Sequence, residues 1–237
     1  MTNRFGKVLF NKFFKTYTEK VWGIPVDKIS KDWAEQRVRT LSLGNAIWTS
    51  IFKDQRTKFR TLSEEFYYPK HGPGMMWEKV AEEFQRKGGK LKLGVKVEKI
   101  YQDGLELRVD SGELEHSTIN FPLSTIISTM PLRSLIQALP NVPKNLTESA
   151  SKLKYRDFVT VLLIINQVKL FDDNWIYIHD PEVHVGRIQN FKNWSPEMAP
   201  DPSKTSLGLE YFIFEEDERW KFSDEEFLSL AKEEVVK

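Results

Sequence analysis

The 237-residue chain contains no cysteine. Disulfides, thiolate zinc centres and cysteine nucleophiles are therefore excluded, and a reducing compartment fits. No apolar run approaches the ~18 residues that a membrane helix needs. The N-terminus, MTNRFGKVLFNKFF, lacks the apolar core and small-residue cleavage site of a signal peptide. A soluble cytoplasmic protein is the expectation. The net charge is only +1, so no strong field would draw in nucleic acid or an anionic membrane. No Gly-x-Gly-x-x-Gly turn and no Gly-x-Ser-x-Gly elbow occurs, which removes the dinucleotide fingerprint and argues against a serine hydrolase. His71, His116, His179 and His184 show none of the i, i+4 or Glu-flanked spacing of a metal site, so no metal is expected. The acidic run Glu215-Glu216-Asp217-Glu218 reads as a solvated turn.

What is present is the composition of a folded protein: 40% hydrophobic and 13% aromatic residues. Apolar residues at helical spacing over residues 7–21 predict an amphipathic helix that breaks near Gly23-Ile24-Pro25. Ser30 is a candidate N-cap for a second helix through Trp33, Ala34 and Val38, and residues 52–66 read as a charged loop. A helix is expected from about Met76 to Arg86, burying Val80, Ala81 and Phe84 and stopping at Gly88-Gly89. Leu91–Leu93 and Val95–Tyr101 read as strands. Asp103-Gly104 reads as a hairpin turn, with Leu105–Val109 pairing back and Glu113–Asn120 extending the sheet. Thr125–Thr129 reads as a short strand running into Pro131, which starts a helix over Leu132–Leu139. Val159–Ile165 is a continuous apolar run, expected to be a strand buried on both faces. Further strands are expected at Trp175–Ile178, His184–Phe191 and Ser206–Phe214, with no helices between them, hence antiparallel. Ser223 and Glu226 form a capping-box pattern, and Phe222 with Phe227 a hydrophobic staple. The last helix shows no stop signal before Lys237.

The segment FYYPKHGPGMMWEKVAEEFQRKGGKLKLGVKVEKI (Phe66–Ile100) joins an aromatic loop, a Gly-Pro-Gly turn, a helix, a Gly-Gly stop and a strand. Together with YTEKVWGIP (Tyr17–Pro25) and STMPL (Ser128–Leu132), it resembles segments found in the same order in flavin-dependent oxidoreductases of the amine oxidase and protoporphyrinogen oxidase superfamily. Within that superfamily the pattern is similar to oxidoreductases of surface-polysaccharide clusters and to UDP-galactopyranose mutases. Because the nucleotide turn of such enzymes is missing, the resemblance implies a piece of a flavoenzyme.

The resemblance also implies site residues. Val97 would meet the FAD adenine through its backbone amide and carbonyl. Thr129, Met130 and Pro131 would lie near the flavin at a helix N-terminus. Gly72, Gly74 and Met75 would approach the isoalloxazine, glycine permitting close contact with a flat ring. GRIQNFKNWSPEM (Gly186–Met198) resembles the mutase segment whose arginine reaches a sugar-nucleotide diphosphate, which points to Arg187. A guanidinium fork suits phosphate oxygens. Arg37, or Arg39 in the alternative register, would be a second such arginine, and Trp22 a substrate-side aromatic. Gln189-Asn190 departs from the mutase, which has a Glu-led segment there.

The expectation is an α/β (α+β-like) chain. Residues 66–145 would belong to an FAD-binding domain. Residues 1–65 and 146–237 would form a substrate-binding domain of helices on a mostly antiparallel sheet. The implied chemistry is hydride transfer from a small-molecule substrate to flavin, with FAD held weakly or not at all by this chain alone. A flavin-dependent mutase acting on a nucleotide sugar and a non-catalytic binding domain are the two alternatives.

Overall fold

The computed structural model describes residues 6–30, 32, 66–103, 106–110, 119–123 and 125–237. Contacts divide the chain into two compact units, one of Met1–Lys79 with Arg156–Lys237 and one of Val80–Tyr155. The helix expected from Ser30, the loop 52–65, residues 113–118, His116, Arg37 and Arg39 fall outside the described residues.

The first unit is built on a four-stranded antiparallel sheet. Its strands are β4 (Asp157–Ile165), β5 (Trp175–Tyr177), β6 (Arg187–Asn190) and β7 (Thr205–Ile213), in the order β4-β7-β6-β5. Antiparallel pairing with helices against it makes the chain a mixed α/β protein, as expected. The expectation of no helices between these strands is corrected: a short helix α6 (Phe191–Trp194) and a 3-10 turn (Pro196–Met198) lie between β6 and β7. Along β7, Leu209, Tyr211 and Ile213 are 0% exposed and Leu207 nearly so. Each such side chain contributes about 1.5–3 kcal/mol through burial. They meet Val183, Val185, Ile188 and Leu163, with Phe227 and Ala231 of helix α7 (Asp224–Glu234) closing the layer. The predicted capping box is present: Ser223 Oγ accepts from the Glu226 amide, and the Glu226 carboxylate accepts from the Ser223 amide. The Phe222 and Phe227 rings lie 5.4 Å apart. The expectation that β4 is buried on both faces is corrected. Its residues alternate, and Phe158, Thr160, Leu162 and Ile164 all lie on one exposed side. An unbroken apolar run does not reveal whether a second layer exists to cover it.

At the N-terminal end, the predicted amphipathic helix forms as α1 (Lys7–Phe10), a π-helical turn (Asn11–Lys15) and α2 (Thr16–Trp22). Gly23 ends it in the left-handed region at φ 64°, and a Cβ there would strike Phe214 and Arg156. Two cations tie α2 to the sheet. Lys20 Nζ donates to the carbonyls of Ile178 and Val185 at 3.2 and 3.0 Å. Arg156 donates to the carbonyls of Lys20, Val21 and Phe212 and stacks 4.2 Å from the Phe214 ring centroid. Burial pushes both groups below their ordinary pKa; at Lys20 the charges of Glu234 and Asp180 oppose that effect.

Helix α3 (Gly74–Arg86) stops where predicted. Gly88, at φ 88°, carries the left-handed turn, and Gly89 donates to the Phe84 carbonyl while Gly88 donates to that of Gln85. That pair of bonds is the Schellman motif. The expected burial of Val80 and Phe84 is corrected: they are 52% and 50% exposed. Phe84 instead folds over Gly89, whose missing side chain leaves room for the ring.

In the second unit β1 (Lys99–Asp103), β2 (Glu106–Asp110) and β3 (Ile119–Leu123) form an antiparallel sheet, followed by α4 (Leu132–Ala138) and α5 (Lys144–Ser151). The predicted hairpin forms, but Asp103, expected in the turn, is the last residue of β1 and pairs with Glu106, the first of β2. Residues 91–98 and 125–129, expected as strands, form none. A strand exists only where a neighbour completes its hydrogen bonds, and none of the described strands does so for these residues. Pro131 is the N-cap of α4, one position before the first helical residue where it was expected. No helix among the described residues is long and apolar enough to cross a membrane.

Candidate functional site

One face of the four-stranded sheet is core, and the pleat therefore puts the alternate residues on the other face. Two cross-strand rows result. Tyr177, Arg187, Glu210 and Thr160 are successive partners across the sheet, and Trp175, Gln189, Gly208 and Leu162 form the adjacent row. Glu210 sits in the run SLGLEYFIF and is only 2% exposed. A carboxylate so buried must be paired. Arg187 Nε donates to Glu210 Oε2 at 2.7 Å, and Gln189 Nε2 donates to Oε1 at 2.5 Å. Both oxygens are thereby engaged. Burial by itself would lower the Arg187 pKa; the hydrogen bond and charge of Glu210 outweigh it, so the guanidinium is held above its ordinary value.

Aromatic rings line this face. Tyr17 meets Tyr177 edge-on at 4.6 Å, and Trp175 stacks on Trp194 at 5.2 Å with an 11° interplanar angle. Tyr68 and Phe66 pack on the Trp194 ring at 5.0 and 5.4 Å. The Trp194 indole N–H is buried without an acceptor among the described residues. Gly208 supplies the room for Phe191, whose ring would lie 2.7 Å from a Cβ at that position. A loop is fastened beside these rings. Ser195 Oγ lies 2.7 Å from the Lys70 carbonyl and 2.8 Å from Glu197 Oε2, and Lys70 pairs with Glu197 at 3.0 Å. Bonds from Ser195 and Lys70 pull the Glu197 carboxyl down to about 2.

The sequence-predicted residues divide between the two units. In the first, Arg187 stands at the centre of the polar row. Trp22 is the last residue of α2 and partly exposed. Gly72 is buried at φ 89°, and a Cβ there would meet Met198 Sδ at 3.2 Å. Gly74 opens α3 with nothing within 4 Å of its Cβ position, and Met75 Sδ accepts from the His71 amide at 3.1 Å. In the second unit, Val97 is half-buried just before β1 and belongs to no ladder, so no strand pairing uses its backbone. Thr129 and Pro131 are exposed and Met130 half-buried ahead of α4, which lies against β1. Of the amides at the α4 N-terminus, that of Arg133 donates to the Tyr155 hydroxyl at 3.2 Å.

Sequence reasoning missed Glu210, Tyr17, Tyr177 and the Trp175–Trp194 stack as members of one face. The available signal was Glu210 itself, a carboxylate at the centre of an otherwise apolar strand.

No protein-family model and no curated protein matches the sequence. Among solved structures, that of a reduced UDP-galactopyranose mutase matches with a TM-score of 0.70 and 18% identity, over 99% of this chain and 49% of the mutase chain. A candidate protoporphyrinogen oxidase from Exiguobacterium sp. 255-15 matches with a TM-score of 0.65 and 16% identity, over 98% of this chain and 49% of its own. By structure, the chain has the fold of about half of an enzyme of the mutase and protoporphyrinogen oxidase type, the fold that its ordered sequence segments imply.

Proposed function

We propose that this chain is part of an FAD-dependent oxidoreductase-like enzyme, and that the polar, aromatic face of its four-stranded sheet is the wall facing a small anionic substrate. The observation that carries the reading is the Arg187–Glu210–Gln189 cluster on that face, within a fold matched along 99% of the chain. Arg187 would grip the substrate's anionic group, and the rings of Tyr17, Tyr177 and Trp175 would pack on its planar part.

The residues present do not amount to a complete FAD site. The Val97 backbone, in no strand, would be the edge that meets a purine, and Thr129, Met130 and Pro131 belong to the same unit. Nothing in the sequence supplies a glycine-rich diphosphate turn, and Met198 fills the space beside Gly72. A longer polypeptide would supply the remainder, since the chain spans about half the length of each solved structure. The redox chemistry would be the flavin's, and this chain's share is positioning and charge. Val97, Gly72, Gly74, Met75, Thr129, Met130 and Pro131 are the residues proposed to lie along the cofactor, with Arg187, Arg37 and Trp22 on the substrate side. A role in polysaccharide synthesis would be in keeping with the same sequence resemblance.

A second reading is favoured by the mutase likeness: isomerisation of a nucleotide sugar without net oxidation. The test uses the longer polypeptide that contains this chain. It should carry a flavin band at about 450 nm, and a colourless protein would overturn the proposal. A substrate that bleaches the band anaerobically identifies an oxidoreductase. Turnover of UDP-galactopyranose by the protein after chemical reduction of its flavin, with no net change in the flavin's oxidation state and abolished by Arg187→Ala, identifies a mutase.

A further inference from the structure

Arg187 has a single hydrogen-bonded edge. Its Nε is committed to Glu210, and its two terminal amino groups carry no hydrogen bond among the described residues. The side chain retains 32% exposure, whereas that of Glu210 retains 3%. A free arginine offers an oxyanion two bidentate edges and many rotamers. Here one edge is closed by a carboxylate that cannot rotate away, because Gln189 holds its other oxygen and the flanking backbone sits in the sheet ladder. Glu210 lies directly opposite Arg187 on the neighbouring strand, so the pairing geometry is fixed by register instead of by two flexible side chains. The pair is also neutral overall, so what remains for a ligand is a directed pair of N–H donors with no surplus charge beside it.

We infer that Glu210, tethered by Gln189, is a positioning residue: it locks the Nε edge of Arg187 so that only the terminal Nη edge meets the substrate's phosphate. The inference rests on the reading of Arg187 as substrate-facing and adds to it a residue that never touches substrate. A guanidinium preset in this way loses less freedom when it binds than a mobile one. Substituting Glu210 should therefore weaken anion binding although the substituted residue is out of the ligand's reach.

The test follows the arginine side-chain 15N signals of the whole chain during titration with inorganic pyrophosphate. The Nη signals of Arg187 should shift while its Nε–H signal stays in place, slow to exchange. Glu210→Gln should speed exchange at that Nε–H and weaken pyrophosphate binding by about fivefold, with the far-UV spectrum unchanged. Gln189→Ala should do the same to a smaller extent, and it serves where the Glu210 variant does not fold. If the Nε–H signal moves together with the Nη signals, the ligand displaces Glu210 and the inference is wrong. Equal pyrophosphate affinity in Glu210→Gln and the parent also overturns it. If Arg187→Ala binds as tightly as the parent, the substrate-facing reading of Arg187 itself fails, which none of the other outcomes would produce.

Discussion

Two glycines in one turn have opposite reasons to be there. Gly72 holds φ 89° while buried, and a Cβ would press on Met198 Sδ at 3.2 Å. Gly74 is the first residue of α3, with open space around it. Gly72→Ala should therefore destabilise the protein by about 1–3 kcal/mol, combining left-handed strain with crowding. Gly74→Ala should be neutral or stabilising by up to about 1 kcal/mol, since glycine is a poor helix former. Urea unfolding of the two variants checks both signs, and equal effects would refute the distinction. The sequence displayed the Gly-Pro-Gly turn plainly. It did not display Met198, which lies more than a hundred positions away along the chain. Arg187 and Glu210 teach the same lesson. Both are visible as residue types, but their pairing depends on a register between strands that no local pattern encodes. Ser223 was legible because its partner Glu226 is three positions away.

Among elements, α7 shows how one side chain fastens a helix to a loop. Glu234 is buried in the last turn of α7, and its two oxygens accept from the amides of His184 and Val185 at 2.6 and 2.8 Å. Glu234→Ala would leave both amides without acceptors next to Val185, one of the most buried residues. A loss of about 3 kcal/mol is expected, and Glu234→Gln, which keeps one acceptor, should lose about half of that. Denaturation midpoints with an unchanged m-value are the check, and an Ala variant as stable as the parent would contradict the argument. The fastening of residues 66–72 onto residues 191–198 should respond to pH. Glu197 titrates at about 2, below an ordinary carboxylate, so its contacts with Ser195 and Lys70 favour the folded state above the usual range. That contribution should fade as pH falls from ~4.3 towards ~2. Trp194 fluorescence reports it, because the ring contacts Phe66 and Tyr68. Glu197→Gln should flatten the acid limb of the titration, and an unaltered limb would place the transition elsewhere. Elements closed by local chemistry were legible in the sequence, such as the Gly88-Gly89 stop and the α7 cap. Residues 91–98 and 125–129 were not, because β-branched composition marks what a segment tolerates and a strand still needs a partner.

For the molecule as a whole, the chain covers about half of the mutase and oxidase structures described above, and the residues proposed to lie along a cofactor are of one kind. Under that proposal Val97 would offer a backbone edge to a purine, and Gly72, Gly74, Met75 and residues 129–131 would offer apolar or small surfaces. None of them brings a charge to a diphosphate. Affinity for FAD in this fold should come in large part from neutralising that diphosphate at a helix N-terminus. The chain alone should therefore gain little from the diphosphate and bind FAD scarcely better than adenosine. Both dissociation constants should lie above ~100 μM, equivalent to less than ~5.5 kcal/mol of binding. Titration of the purified chain with FAD, followed by flavin fluorescence and compared with adenosine by calorimetry, decides the matter. A Kd for FAD at least tenfold below that for adenosine would mean that this polypeptide grips the diphosphate after all. The grip would then have to come from a cation already described or from residues outside the described segments, and Arg187 would be the first to test. Glu210→Gln separates these origins: it should weaken FAD binding only if the guanidinium that Glu210 holds is the one in contact with the phosphate.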